Sequence, residues 1–193
     1  MSSGQVAGEF APAGGEGDIE NPEARRVQEL RLLFEISQIL DRSLDLRDTV
    51  APVVEAVGSF LDLKHVTITL FSRATGEILI EAAHGLSPKQ AEMGRYRLGE
   101  GVTGQVVLTG KPAVIPKTSE SPLFVNRTKR ISNREFSFIC VPIKAGKDIA
   151  GTLSADRLYN PESDLDEDVR LLAIIASMIA QAVKLRRSAQ EER

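Results

Sequence analysis

Leu98 to Thr109 reads Leu-Gly-Glu-Gly-Val-Thr-Gly-Gln-Val-Val-Leu-Thr, and Gly99, Gly101 and Gly104 match a G-x-G-x-x-G string. In a doubly wound parallel sheet that string needs a long apolar strand before it and a parallel strand after its helix. Here the approach is the short polar run Gly94-Arg95-Tyr96-Arg97, and the helix stops at Gly110-Lys111-Pro112. The acid at Glu120 lies in a Pro- and Ser-rich loop, not at the end of a strand. Dinucleotide binding is therefore disfavoured. The string reads instead as a glycine-rich entry into a short helix whose free N–H groups face a cavity, a place to hold a small anion, or as a tight turn.

The rest of the chain surrounds this turn with helices at both ends and strands between. Residues 1–22 are rich in Gly, Ala, Ser and Glu without apolar periodicity, so disorder is expected. Pro22 suits the first turn of a helix to about Leu40, and Asp45 is placed to cap a second helix through Phe60. Pro52 predicts a kink or a later start. Val66–Phe71 alternates, and Ala74-Thr75-Gly76 turns into a second strand, Glu77–Ala83. Pro112–Ile115 is a short strand, and Lys117–Glu135 reads as a long ordered loop; loops of that length in a compact domain are functional lids or disordered. Phe136–Ile143 and Asp148–Leu158 form a second hairpin around Ala145-Gly146-Lys147. Leu165–Arg187 is a long helix, opened by acids and ended by bases as the macrodipole prefers. About six antiparallel strands with helices on one face make an α+β fold.

Charge and cysteine usage narrow the function. A net charge of -3 argues against non-specific nucleic-acid binding. The single cysteine, Cys140, excludes an internal disulfide and a Cys-based metal cluster within one chain. With no 18-residue apolar run and no leader pattern, a cytoplasmic protein is expected. His65 and His84 read as strand-end residues, and Cys140 sits in an apolar strand where a thiol is an inert core residue. There is no P-loop pattern and no metal-ligand spacing; the acids Asp164, Asp166, Glu167 and Asp168 are explained by a helix start. No catalytic residue, metal or cofactor is assigned.

What remains is a cavity under the glycine-rich helix and the 117–135 loop. Thr67, Thr69, Phe71, Phe138, Thr152 and Ser154 mix hydroxyls with aromatic surface, as small-ligand pockets do. Lys117, Arg127, Lys129, Arg130 and Arg134 bring cations, which taken singly are ordinary solvated loop charges. Both terminal helices carry broad apolar faces. A surface helix needs only one stripe, so the last helix is either deeply buried in its own chain or packs a partner chain's helix; a symmetric dimer through Leu33, Ile36, Leu40, Leu171, Ile174, Met178 and Leu185 is the preferred expectation.

Tyr96-Arg97-Leu98-Gly99-Glu100-Gly101-Val102-Thr103-Gly104, Pro122-Leu123-Phe124, Ser137-Phe138-Ile139-Cys140-Val141-Pro142-Ile143 and Gly151-Thr152-Leu153-Ser154-Ala155-Asp156-Arg157 resemble, in order, a GAF domain. More narrowly they resemble the N-terminal sensory GAF domain of nitrogen-fixation (Nif-specific) activators of sigma-54-dependent transcription. The resemblance implies a six-stranded antiparallel sheet between terminal helices and a ligand-covering side, over residues 23–187. It implies a regulatory fragment, not an enzyme, with 188–193 starting a linker toward an AAA+ ATPase domain. It further implies a small anionic effector, 2-oxoglutarate first, or an inhibitory protein partner; a ligand-free interaction module is the alternative. The ligand residues expected are Thr69, Phe71, Gly101, Thr103, Leu123, Phe124, Arg130, Arg134, Phe138, Cys140, Thr152 and Ser154. The cyclic-nucleotide signature of phosphodiesterase GAF domains is absent, one cysteine is too few for sulfoxide reduction, Cys140 lies in a strand and so is misplaced for a bilin, and residues 1–30 hold no cysteine for an iron–sulfur motif.

Overall fold

The computed structural model describes residues 21–42, 46–61, 63–130 and 133–191, with side chains at the carboxyl end as far as Lys184. Residues 1–20, expected to be disordered, and the expected cap Asp45 lie outside the described residues. Helix α1 spans Pro22–Arg42. Its first turn is capped by Asn21, whose Oδ1 accepts the Glu23 N–H at 3.1 Å, with Pro22 at the position where a missing N–H costs nothing. It turns Leu32, Ile36 and Ile39 inward. Helix α2, Leu46–Phe60, accommodates Pro52 within it and starts no later for it.

Strands β1 (His65–Ser72) and β2 (Glu77–His84) form the first hairpin. β5 (Phe136–Ala145) and β6 (Asp148–Leu158) form the second. β6 also pairs antiparallel with β1, which joins the hairpins into one sheet. Two short strands finish the edges, β3 (Arg95–Arg97) on β2 and β4 (Ala113–Ile115) on β5, for an order β3-β2-β1-β6-β5-β4. β3 was not visible as a strand in the sequence. Three residues with one buried side chain, Tyr96 between two exposed arginines, give a signal too short to separate from a polar loop. A short helix, α3 (Pro88–Glu92), was also missed, although its capping box was there to read: Ser87 accepts from the Gln90 N–H, and the Gln90 side chain returns to the Ser87 N–H.

α1, α2 and α5 (Leu165–Glu191) cover one face of the sheet. Val66, Ile68, Ile139, Val141, Ile143, Leu153 and Ala155 of the strands meet Val53, Val57, Leu172, Ile175 and Ile179 of the helices in one continuous core. Each Val, Ile or Leu side chain among them withdrawn from water contributes about 1.5–3 kcal/mol. α5 continues four residues past the expected end at Arg187, so positions 188–191, expected as linker, are helical. No described helix is long and apolar enough to cross a membrane.

At the start of α5 a buried ion cluster ties three elements together. Asp168, its side chain 5% exposed, accepts from Arg25 of α1 at 2.9 Å and from Arg157 of β6 at 2.7 Å. Arg25 reaches Glu29 and Glu167 as well. The acidic run that starts the helix thus also supplies the tie between α1, β6 and α5.

Candidate functional site

The other face of the sheet is covered by α4 (Gly101–Thr109) and the loop that follows β4. α4 ends at Gly110, in the left-handed conformation (φ 65°) that closes a helix without steric cost. Its start carries no side-chain cap. Glu100 is engaged elsewhere: Oε2 accepts the Arg97 N–H at 2.9 Å, and Oε1 pairs with Arg127 of the loop. Arg127 lies over the Tyr96 ring as well, 5.8 Å from its centroid, and so fastens the loop to the entrance of the helix. Burial pushes the Tyr96 phenol above its ordinary range, and the Arg130 and Arg127 guanidinia pull part of the way back.

Beneath the loop, Phe138 and Cys140 of β5 pack with Val102 and Val106 of α4. The hydroxyls expected to line a pocket are spent on each other across β1 and β6. Thr67 Oγ1 lies 2.6 Å from Ser154 Oγ, and Thr69 Oγ1 lies 2.7 Å from Thr152 Oγ1 and accepts the Thr152 N–H. Four buried hydroxyls thereby meet their own hydrogen-bonding need, as buried polar groups must. Thr69, Thr152 and Ser154, expected at the ligand, are interior wall, and Phe71 packs instead with Ile78, Tyr96 and Val107. Cys140 is fully buried, and burial pushes its thiol up to about 12 against the lowering influence of Thr152 and Arg130. At neutral pH it is a protonated core thiol.

Two loop arginines named from the sequence part ways. Arg134 is exposed, on the rim of an open cleft of about 500 Å³ with Thr118, Ser121, Phe124 and Asn126. Arg130 turns inward. Its side chain is 6% exposed, its Nε lies 3.2 Å from Asp156 Oδ2, and its guanidinium sits 5.2 Å from the centre of the Phe138 ring. Asp156, fully buried on β6, receives His65 Nδ1 on its other oxygen at 2.7 Å. Arg130 Nη1 and Asp156 Oδ2 are buried and without a hydrogen-bond partner among the described residues. An orphaned buried donor costs about 1–3 kcal/mol, so the guanidinium is held with unmet bonding capacity.

The space beside Arg130 is a gap of about 10 Å³ bounded by Tyr96, Val102, Thr103, Phe124, Val125 and Phe138. That is room for a water molecule at most. Phe124 lines both this gap and the open cleft, with its ring edge-on to Phe138 at 5.2 Å. It is the wall between interior and solvent. Of the expected ligand residues, Thr103, Phe124, Arg130 and Phe138 converge here. Gly101 approaches Val125 at the helix start, and Leu123 is half exposed. Asp156, Val102, Tyr96 and His65 were not named from the sequence for this place. The alternation of β6 puts Asp156 on the same face as Thr152 and Ser154, a signal that was available.

On the helical side, the expected dimer stripe needs revision. Ile36 and Leu171 are 0% and 3% exposed within this one chain, so they are core residues, Leu171 reaching the surface only as a wall of the groove between α1 and α5. Leu33, Leu40 and Met178 are partly buried against the same core. The Leu185 side chain lies outside the described residues. The exposed apolar residues are Val27 (50%), Leu30 (66%), Phe34 (68%) and Ile174 (48%). A groove of about 630 Å³ between α1 and α5 is walled by Leu30, Leu33, Leu171 and Ile174 with Arg26, Glu29, Glu167 and Arg170 around them.

The GAF domain family model matches residues 45–183. The chain is 40% identical over 164 residues to the nitrogen fixation protein VnfA of Azotobacter vinelandii, an alignment covering 83% of this chain and 31% of that protein. It is 38% identical over 169 residues to a Nif-specific regulatory protein of Herbaspirillum seropedicae, covering 86% and 31%. The chain therefore spans about three-tenths of the length of these curated relatives. Among solved structures it is similar to the nlh2 GAF domain of A. aeolicus in an inactive state (TM-score 0.73, 22% identity, 83% of this chain and 98% of that one). It is equally similar to a free methionine-R-sulfoxide reductase of Neisseria meningitidis (TM-score 0.74, 19% identity, 86% and 93%). At these identities the likeness establishes the fold alone.

Proposed function

The chain belongs to the GAF domain family, and from that premise we propose that it is a non-enzymatic sensory module of a Nif-type, sigma-54-dependent transcriptional activator acting in the cytoplasm. In this reading a small carboxylate-bearing metabolite, 2-oxoglutarate first among them, binds beside Arg130. The carrying observation is the buried guanidinium whose Nη1 has no hydrogen-bond partner among the described residues, next to the start of α4, which has no side-chain cap. Cation and helix N-terminus both favour an anion at that point. Entry is from the open cleft, by displacement of Phe124. The bound state biases the packing of α1 and α5, and through them an attached AAA+ domain, by population shift. A homodimer through the exposed apolar face of α1 and Ile174 completes the reading.

Calorimetric titration of 2-oxoglutarate into the protein, with succinate and cyclic nucleotides as comparisons, tests it. Saturable, selective binding that Arg130→Ala abolishes and Arg134→Ala spares is expected. Equal binding by wild type and Arg130→Ala refutes the site. A second reading is supported by the small size of the gap: the interior is a filled core, and the module answers to a protein partner, an inhibitory one in the Nif setting. Calorimetric silence from a folded dimer would favour it.

A further inference from the structure

We propose that Asp156 is an internal counter-anion that holds the ligand's place on Arg130, and that a ligand carboxylate binds by taking the guanidinium away from it. The proposal rests on the reading of Arg130 as an anion-binding group. A buried ion pair built for stability alone satisfies its remaining hydrogen bonds, and an arginine paired with a carboxylate commonly does so through two parallel bonds at about 2.7–2.9 Å. This pair does neither. Contact is through Nε at 3.2 Å, while Nη1 and the facing oxygen Oδ2 both lack a hydrogen bond among the described residues. The guanidinium is underheld by its own partner.

Asp156, by contrast, is provided for when Arg130 leaves. Its Oδ1 keeps the hydrogen bond to His65 Nδ1 at 2.7 Å on the neighbouring strand, so the carboxylate stays oriented. Arg130 itself sits on the loop immediately after Lys129, a non-glycine residue in the left-handed region (φ 52°), and its guanidinium lies over the Phe138 face. That contact with the ring is a support independent of Asp156. The gap of about 10 Å³ excludes any metabolite from the present arrangement, so occupancy requires displacement, and Arg130 and Phe124 are the displaceable walls on the loop side.

Exchange of one carboxylate for another makes Asp156 a specificity- and affinity-setting residue. The apparent affinity is the intrinsic affinity divided down by the fraction of time that Arg130 is free. If that fraction is about one-tenth, removing Asp156 raises affinity about tenfold. A residue that only positioned Arg130 would act in the opposite direction.

The deciding experiment is titration of 2-oxoglutarate and succinate into folded wild-type, Asp156→Asn and Arg130→Ala proteins. Asn preserves the volume and an acceptor for His65. The expected result is dicarboxylate binding about tenfold tighter in Asp156→Asn and none in Arg130→Ala. Unchanged or weaker binding in Asp156→Asn overturns the competitor role and leaves the Arg130 site standing. Binding by Asp156→Asn where wild type is silent supports the masking outright, whereas silence in both overturns masking and site together. Should Asp156→Asn fail to fold, the Arg130 Nε–H resonance of the wild-type protein decides: saturation with 2-oxoglutarate shifts it if Asp156 is exchanged, and a resonance unmoved at saturation overturns the proposal.

Discussion

Replacing Gly104 by alanine tests whether the third glycine of the motif serves a ligand or the fold. Gly104 lies inside α4 and is not among the glycines with positive φ, so backbone conformation does not require it. Space does. A Cβ there would meet the Arg97 carbonyl oxygen at 2.2 Å and the Gly99 nitrogen at 3.0 Å, both backbone atoms, where ordinary contact begins at 3.4 Å. The Arg97 oxygen is also committed, accepting the Glu100 N–H at 3.0 Å, and the Gly99 N–H donates to the Gly104 oxygen at 3.0 Å. Relief therefore means moving α4 away from the end of β3 by about 1 Å. Overpacking costs about 1–3 kcal/mol, and the upper part of that range, about 2–3 kcal/mol, applies where the atom met is backbone and cannot rotate away, while alanine gains about 1 kcal/mol over glycine inside a helix. The clash wins by about 1–2 kcal/mol, which for a domain of this size lowers Tm by about 2–8 °C. Urea unfolding followed by circular dichroism reads this directly. A variant as stable as wild type, or more stable, would refute the packing account and return the glycine to a ligand-facing role.

Other substitutions probe the remaining features. Asp168→Ala leaves Arg25 and Arg157, 25% and 34% exposed, facing each other without their shared carboxylate; breaking a fully buried pair costs about 3–5 kcal/mol, and partial screening brings the expectation to about 2 kcal/mol in urea unfolding. The Cys140 thiol, raised by burial from an ordinary value of 9.0 to about 12, stays protonated in the native state while the unfolded chain ionises. Native stability should thus fall with rising pH across that window, by about 1.4 kcal/mol per unit, and a Cys140→Ala protein with the same slope would exclude the thiol as its source. Phe34→Glu, at a position 68% exposed, should leave the monomer fold intact and lower the mass seen by light scattering; an unchanged dimer mass would move the interface off α1.

The parts of this fold that could be read from the sequence are those where one periodicity runs long enough to be unambiguous. The strands of hairpins 65–84 and 136–158 run for eight residues or more on either side of glycine-bearing turns, and the terminal helices repeat an apolar face over several turns. β3 escaped because its burial rests on Tyr96 alone. The site was legible in composition but not in assignment. Five bases on one loop point to an anion, yet whether Arg130 or Arg134 turns inward depends on a buried carboxylate 26 residues downstream of Arg130, and no local pattern carries that pairing. The hydroxyls of β1 and β6 misled for a related reason. Sequence shows donors and acceptors, not that Thr67 and Ser154 spend theirs on each other. The dimer stripe failed at Ile36 and Leu171 because an apolar helix face looks the same whether its own chain or another covers it.

The recognisable family segment runs from residue 45 to residue 183, while α1 begins at Pro22 and places Leu32 and Ile36 at 0% exposure in the main core. What is recognisable and what folds are thus two different lengths of chain. A protein cut at the family boundary would lose the α1 covering of α2 and α5 along with one of the two arginine partners of Asp168, and would offer that opened seam to any apolar surface nearby. A pull on α1 is therefore felt in the packing of the sheet itself.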